Sequence, residues 1–233
     1  MDLKIKDLAE LLNVSEKTIR RWLADGKIPA YKLNQQYRFN PQEIEEWVMK
    51  NRLNKQGEEE SDEEDKQEPP ATGGSKQFSL YRSINLGGVF YKVSGSTKEE
   101  VIRTSMKALA QGKNLDADHL TELLLEREKL APTALNFGIG VPHTRDYLIN
   151  SHQNMVAVAF PETPISYGAL DDVPVHTLFF LFACNEKQHL HLLAKIAHLS
   201  SKPEAINFLL GKPSKLKLLE FIKEWEQKIP IRA

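Results

Sequence analysis

A histidine set directly after a proline, with an arginine upstream and a second histidine well downstream, has the makings of a phosphoryl-accepting site. The stretch is Gly138-Ile139-Gly140-Val141-Pro142-His143-Thr144, with Arg127 sixteen residues before His143 and His189 forty-six after it. Transfer through histidine needs a neutral imidazole, exposed to a partner protein, whose ring nitrogen is aimed by its neighbours. Charge on the moving phosphoryl group needs fixed donors, a task for which arginine and a second histidine are suited. Pro142 stiffens the approach, Gly138 and Gly140 allow close backbone packing, and His189 opens a helical segment whose first N–H groups are free for an anion. No metal and no cofactor is needed if the donor is itself a phosphohistidine.

Each of these residues also has a plainer reading. A lone histidine at a strand end is usually a core or surface residue, and Arg127 has Glu126 or Asp146 at hand for an exposed ion pair worth little. His191 competes with His189, but two positions along a helix it points to another side, which also argues against a zinc site built from the two. His119, His152, His176 and His198 have no matching partners and read as structural. There is no Gly-x-Ser-x-Gly, so the nucleophile-elbow hydrolases are excluded. The single cysteine, Cys184, follows an apolar run and reads as a buried thiol; it excludes an internal disulfide framework and a cysteine-rich metal site.

The segments that must position these groups alternate in type. Residues 88–93, 139–141, 155–160 and 178–182 are strand-like. Helices are expected from a capping box at Ser96-Thr97-Lys98-Glu99 to about Ala110, then over 117–128, 187–199, 203–210 and 215–227. Such alternation predicts an α/β sandwich around a parallel or mixed sheet flanked by helices.

Upstream the composition changes. Net charge is −1 over 233 residues, but Lys and Arg outnumber Asp and Glu by 11 to 8 in residues 1–55, fall to 2 against 8 in 56–76, and stand at 18 to 16 in 77–233. The middle segment, rich in Glu and Asp with Pro69-Pro70 and Gly73-Gly74-Ser75, reads as an extended, self-repelling linker between a basic head and a near-neutral body. A chain of 233 residues can hold one large domain or two smaller ones, each with its own core. The N-terminus has no signal-peptide pattern and no apolar run is long enough to span a bilayer, so the expectation is a soluble, cytoplasmic protein.

The head reads as three short helices and a hairpin: Ile5, Leu8, Leu11 and Leu12 on one face, Ser15 capping a second helix from Glu16 to Ala24, Gly26 ending it, a ribbon over 28–39, and a third helix opening at Asn40-Pro41. Glu16, Lys17, Thr18, Arg20 and Arg21 on the second helix suit major-groove reading, while Lys32, Gln36, Tyr37 and Arg38 on the ribbon, as a wing, suit backbone or minor-groove contact. An ordinary solvated surface is the competing reading. With few phosphate contacts per head, tight binding calls for a homodimer or DNA-bound partners.

Two resemblances follow from these residues. Ile5 to Ser15, Trp22, Gly26-Lys27-Ile28-Pro29-Ala30 and Tyr37-Arg38-Phe39 resemble the excisionase-like winged helix-turn-helix modules related to the MerR group. Arg127-Glu128, Thr133, Gly138 to His143 and His189-Leu190-His191-Leu192-Leu193 resemble the enzyme IIA family of the bacterial phosphotransferase system, in its fructose/mannitol/nitrogen-regulatory class. That resemblance implies that His143 takes a phosphoryl group from HPr or its nitrogen-branch counterpart, with His189, Arg127 and Thr133 in support. The chain departs from the family pattern at Asn136, Gly140 and Pro132, none of which removes a group the transfer needs. The combined reading is a regulator that couples phosphorylation of His143 to DNA binding. Two other outputs stand beside it: passing phosphate to a separate enzyme IIB for sugar uptake, or binding target proteins independently of phosphorylation.

Overall fold

The computed structural model describes residues 2–51, 79–113, 115–144 and 154–229. The linker expected over 56–76 lies outside these residues, as do Asp146 and His152.

In the head, α1 (Ile5–Leu12) and α2 (Glu16–Ala24) meet at Asn13, which takes the left-handed conformation with φ 55°. Ser15 caps α2 by accepting from Thr18 N at 3.0 Å. Strands β1 (Tyr31–Leu33) and β2 (Gln36–Arg38) pair antiparallel, and the two turn residues Asn34 and Gln35 both have positive φ, as a tight hairpin requires. Asn40 Oδ1 accepts from Gln42 N to open α3 (Pro41–Asn51). Leu8, Ile19, Phe39 and Ile44 are fully buried between these elements, and Trp22 packs against Trp47 with ring centroids 5.3 Å apart.

The body runs α4 (Ser79–Gly87), β3 (Val89–Val93), α5 (Lys98–Ala110), α6 (Ala117–Leu130), β4 (Ala134–Leu135), β5 (Ile139–Gly140), β6 (Met155–Pro161), β7 (Thr177–Phe182), α7 (Glu186–Ser200), α8 (Pro203–Leu210) and α9 (Lys215–Lys228). The sheet order is β3-β6-β7-β5-β4, with β3–β6 and β5–β7 parallel and β6–β7 and β4–β5 antiparallel, so the sheet is mixed. The unbroken apolar runs of β6 and β7 are buried along their whole length. One sheet face packs against α5 and α6, the other against the layer of α4, α7, α8 and α9.

Several expectations need correction. Helix α4 carries no local start signal, because its N-terminal donors Leu80 N and Tyr81 N bond to the carboxylate of Glu226, 146 and 145 residues away. The cap of α5 is Thr97 rather than Ser96: its hydroxyl accepts from Glu100 N, and the Glu100 carboxylate accepts from Ser96 N, one residue before the cap. Cys184 is half-buried, with Asn185 Nδ2 at 3.4 Å from its sulfur.

The largest difference concerns the two cores, which are not separate. Helices α1 and α3 pack on α7, and the head's buried residues form one apolar cluster with the α4/α7/α8/α9 layer. Lys187 and Asp7 face each other at 3.8 Å at the rim of this seam.

The loop leading into β5 is fixed by His176. Its Nε2 faces the Phe137 carbonyl at 3.1 Å and so carries the proton, while Nδ1 accepts from the Thr177 hydroxyl at 2.8 Å. A Cβ on Gly138, where φ is +75°, would lie 2.5 Å from the His176 ring, so only glycine fits there. Burial is the main cause holding the His176 ring below its ordinary pKa, opposed by the Phe137 carbonyl. In the unfolded chain this histidine takes its proton near pH 6.5, above its folded value, so stability present at higher pH is lost as pH falls below that range. We predict that the melting temperature drops more between pH 7.5 and 5.5 in the wild type than in His176→Gln; equal drops would show that His176 is not part of this dependence.

Candidate functional site

His143 sits where the chain leaves β5 alongside β7: it forms a parallel bridge with Leu181, and Leu181 N donates to Pro142 O at 3.0 Å. Its Nδ1 is 2.7 Å from the carbonyl of Val141. A carbonyl only accepts, which assigns the Nδ1 proton and turns Nε2 towards the neighbouring side chains. His189 stands in the first turns of α7, with its ring centroid 5.1 Å from that of His143. Arg127 reaches in from the last turn of α6. The structure thus brings together the three residues that the sequence singled out.

A fourth residue completes the cluster, and it comes from the head. Glu45 of α3 is 3% exposed, and its Oε1 lies 3.1 Å from His143 Nε2 and 3.2 Å from an Arg127 terminal nitrogen. Its Oε2 is 3.4 Å from His189 Nε2, close enough for charge attraction but not aligned as a hydrogen bond. His143 itself is 0% exposed. The expectation of an imidazole open to a partner is therefore not met in this arrangement, because the head covers it.

The Val141 carbonyl takes the Nδ1 proton, and the Glu45 carboxylate faces the other ring nitrogen, Nε2. Burial acts most strongly on His143 and drives its pKa down; Glu45 opposes this, while the charges of His189 and Arg127 add to it. On Glu45 burial alone would raise the carboxyl, but the hydrogen bond of His143 and the close approach of both His143 and His189 outweigh it and hold the group well below the usual carboxylate range. Burial and the charges of His189 and Arg127 thus favour the neutral His143 ring, the form a nucleophile requires.

The other expected residues divide. Thr133 does not face His143. Its hydroxyl donates to Glu128 Oε2 at 2.5 Å, its N–H bonds the same carboxylate, and its carbonyl accepts from Val141 N at 2.8 Å. It ties the end of α6 to β5 and positions the loop. Arg127 pairs with Glu45 and bonds Ala131 O at 3.3 Å instead of forming the exposed ion pair with Glu126, and its buried Nε has no hydrogen-bond partner among the described residues. His191 turns the other way, 3.1 Å from Ser79 Oγ. The first-turn donors of α7 are not left free for an anion: Asn185 Oδ1 accepts from Gln188 N, and His189 N bonds Asn185 O. In the head, Glu16, Lys17, Arg20, Arg21, Lys32 and Gln36 are exposed, and Thr18, Tyr37 and Arg38 are half-buried. Thr18 is engaged with Ser15, Arg20 pairs with Glu16 at 3.4 Å, and Arg38 donates to Gln36 at 2.9 Å.

Glu45 was not legible as a site residue, yet a signal exists. Pro41, Ile44, Glu45, Val48 and Met49 are the buried positions of α3, so a carboxylate lies on an otherwise apolar stripe. Glu45, His143 and His189 also place three ligand atoms within 4.8 Å of one another. Arg127 already donates to the carboxylate oxygen that faces His143, and a fixed cation there opposes a metal ion.

Both parts of the chain match known families. Residues 83–225 match the family described as "Phosphoenolpyruvate-dependent sugar phosphotransferase system, EIIA 2", and residues 3–52 match "Helix-turn-helix domain". Among curated proteins, the chain is 30% identical over 146 residues to a nitrogen regulatory protein of Pseudomonas aeruginosa, covering 61% of this chain and 94% of that protein. It is 30% identical over 132 residues to a fructose-specific EIIA component of Haloferax volcanii, covering 55% and 84%. The crystal structure of nitrogen regulatory protein IIA-Ntr from Neisseria meningitidis shares the fold with a TM-score of 0.52 at 24% identity, covering 59% of this chain and 93% of that one. No helix of the described residues is long and apolar enough to cross a membrane. With its family match spanning more than half of the sequence and carrying the Arg127/His143/His189 cluster, the chain belongs to the EIIA 2 family of the phosphoenolpyruvate-dependent sugar phosphotransferase system, joined to an N-terminal helix-turn-helix domain.

Proposed function

We propose that the chain is a phosphotransferase-system regulator that accepts a phosphoryl group on Nε2 of His143 from a phosphohistidine of an HPr-type carrier and binds DNA through its head. The observation that carries this reading is that Arg127 and His189 both reach the anionic group that faces Nε2 of His143, the one ring nitrogen that its backbone partner leaves unused. In the transfer, the Nε2 lone pair forms the new N–P bond as the donor's N–P bond breaks. The electron pair of the broken bond returns to the donor's ring nitrogen, and each ring keeps the proton on its other nitrogen. Arg127 and His189 neutralise charge on the phosphoryl oxygens as they pass, and Arg127 Nε is a buried donor available to them. Thr133 and Glu128 hold the loop that aims the nucleophile.

A regulatory output is favoured by the attached helix-turn-helix domain. The exposed face of α2 would enter the major groove, with Lys17, Arg20 and Arg21 on phosphates and β1–β2 acting as a wing. Relatives named as a fructose-specific component and as nitrogen regulatory proteins carry the same domain, so transfer to a separate enzyme IIB is the natural alternative for the phosphoryl group.

Incubation with enzyme I, HPr and phosphoenolpyruvate should give one acid-labile phosphate per chain, absent in His143→Ala and formed on the order of 10²–10³ times more slowly in Arg127→Ala. Labelling that persists in His143→Ala would overturn the assignment. For the head, the wild type should shift DNA from its own upstream region with an affinity that falls steeply with salt, and the Arg20→Ala/Arg21→Ala variant should bind more weakly with a shallower salt slope. Equal shifts for both proteins at every salt concentration would remove α2 as the DNA-reading element.

A further inference from the structure

The phosphoryl site is already occupied by a group of the kind it is built to receive. Glu45 offers a carboxylate, planar and anionic, to the Arg127 and His189 donors that a phosphoryl group on His143 would use, and its Oε1 stands at 3.1 Å from the nitrogen that would be phosphorylated. Ninety-eight residues of chain separate Glu45 from His143, and Glu45 rides on the head, not on the body. Its removal from the site therefore means displacement of α3, and with it the seam that α1 and α3 make on α7.

We propose that Glu45 is an internal competitor for the phosphoryl site, so that docking of the head and phosphorylation of His143 exclude one another. This rests on the phosphohistidine reading of His143. In the docked state His143 is wholly buried, no carrier can align its phosphorus with Nε2, and the Glu45 carboxylate stands on the line of approach to that nitrogen. In the phosphorylated state the new group, carrying a charge of about −2, occupies the position of the Glu45 carboxylate, and like-charge repulsion keeps the head away. The linkage is reciprocal: phosphorylation favours the released head, and whatever holds the head away from the body favours the phosphorylated state. Because the buried ring must be uncovered first, the same change exposes Nε2 to the carrier more often. The exposed face of α2 lies outside the seam, so the gate acts on entry of the phosphoryl group rather than by covering the DNA-reading surface.

The test is the rate of phosphate incorporation on His143, at limiting phosphorylated HPr, in the full-length wild type, Glu45→Ala, Glu45→Gln and Asp7→Lys. Asp7→Lys sets two lysines together at the rim of the seam and touches none of the site residues. Glu45→Ala should react faster by on the order of 5–150-fold, the usual range of a coupling between sites. Glu45→Gln should lie between it and the wild type, and Asp7→Lys should move in the same direction by less. A wild type that labels more slowly than both Glu45→Ala and Asp7→Lys, yet reaches the same final phosphate per chain, is the strongest support. Rates for Glu45→Ala and Asp7→Lys that equal the wild type, or that fall below it, overturn the gate while leaving His143 as the acceptor. No label on His143 in any of the four proteins removes the phosphohistidine reading, and the gate with it.

Discussion

The arrangement of this protein depends on one buried carboxylate. Glu45 is surrounded by Arg127, His143 and His189, and all four side chains are largely removed from water. A carboxylate taken into such a place without partners would cost several kcal/mol, and deleting one member of a buried pair typically costs about 3–5 kcal/mol. The cluster therefore holds only as a set. Its members come from the head's α3, from α6, from the turn after β5 and from α7, so the geometry of the two domains relative to each other is written into it. The apolar seam between α1, α3 and α7 supplies contact area, while the carboxylate fixes register.

On the body side, the pieces that aim His143 are backbone devices. Leu181 N on Pro142 O and the carbonyl of Val141 on Nδ1 leave the ring a single orientation. Behind them, Thr133 joins Glu128 at the end of α6 to Val141, and Lys98 from α5 approaches the same carboxylate at 3.5 Å. Arg127 stands one residue before Glu128 on that helix, so the network that orients the loop also sets the arginine. His143 and Arg127 are in this way placed by one connected set of hydrogen bonds, an arrangement that suits the transfer proposed for them.

Much of this was legible in the sequence because local chemistry determines it. The ends of α2, α8 and the β1–β2 ribbon follow Ser15, Pro203 and the Asn34-Gln35 turn, and the unbroken apolar runs of β6 and β7 report strands buried on both faces. His143, Arg127 and His189 could be proposed together because their types and spacing suit one reaction. What escaped depends on contacts distant in the chain. Helix α4 is capped by Glu226, Thr133 serves the loop instead of the phosphoryl group, and Glu45 gains its role only when two domains meet. Composition marked the head and the body as separate units, and it carries no information on whether such units dock. The single local hint, an acidic residue on the apolar stripe of α3, is one that ordinary amphipathic helices also show at their margins.

If one carboxylate holds the head on the phosphoryl site, phosphorylation must change the distance between the domains. The most direct measurement places spin labels at Lys17→Cys on α2 and Lys223→Cys on α9, both exposed positions, in a Cys184→Ser background, and records the distance distribution before and after the chain is phosphorylated. The unmodified protein should give a single narrow distance that gives way to a broad, longer distribution once His143 carries phosphate. An unchanged narrow distance in fully phosphorylated protein would contradict it.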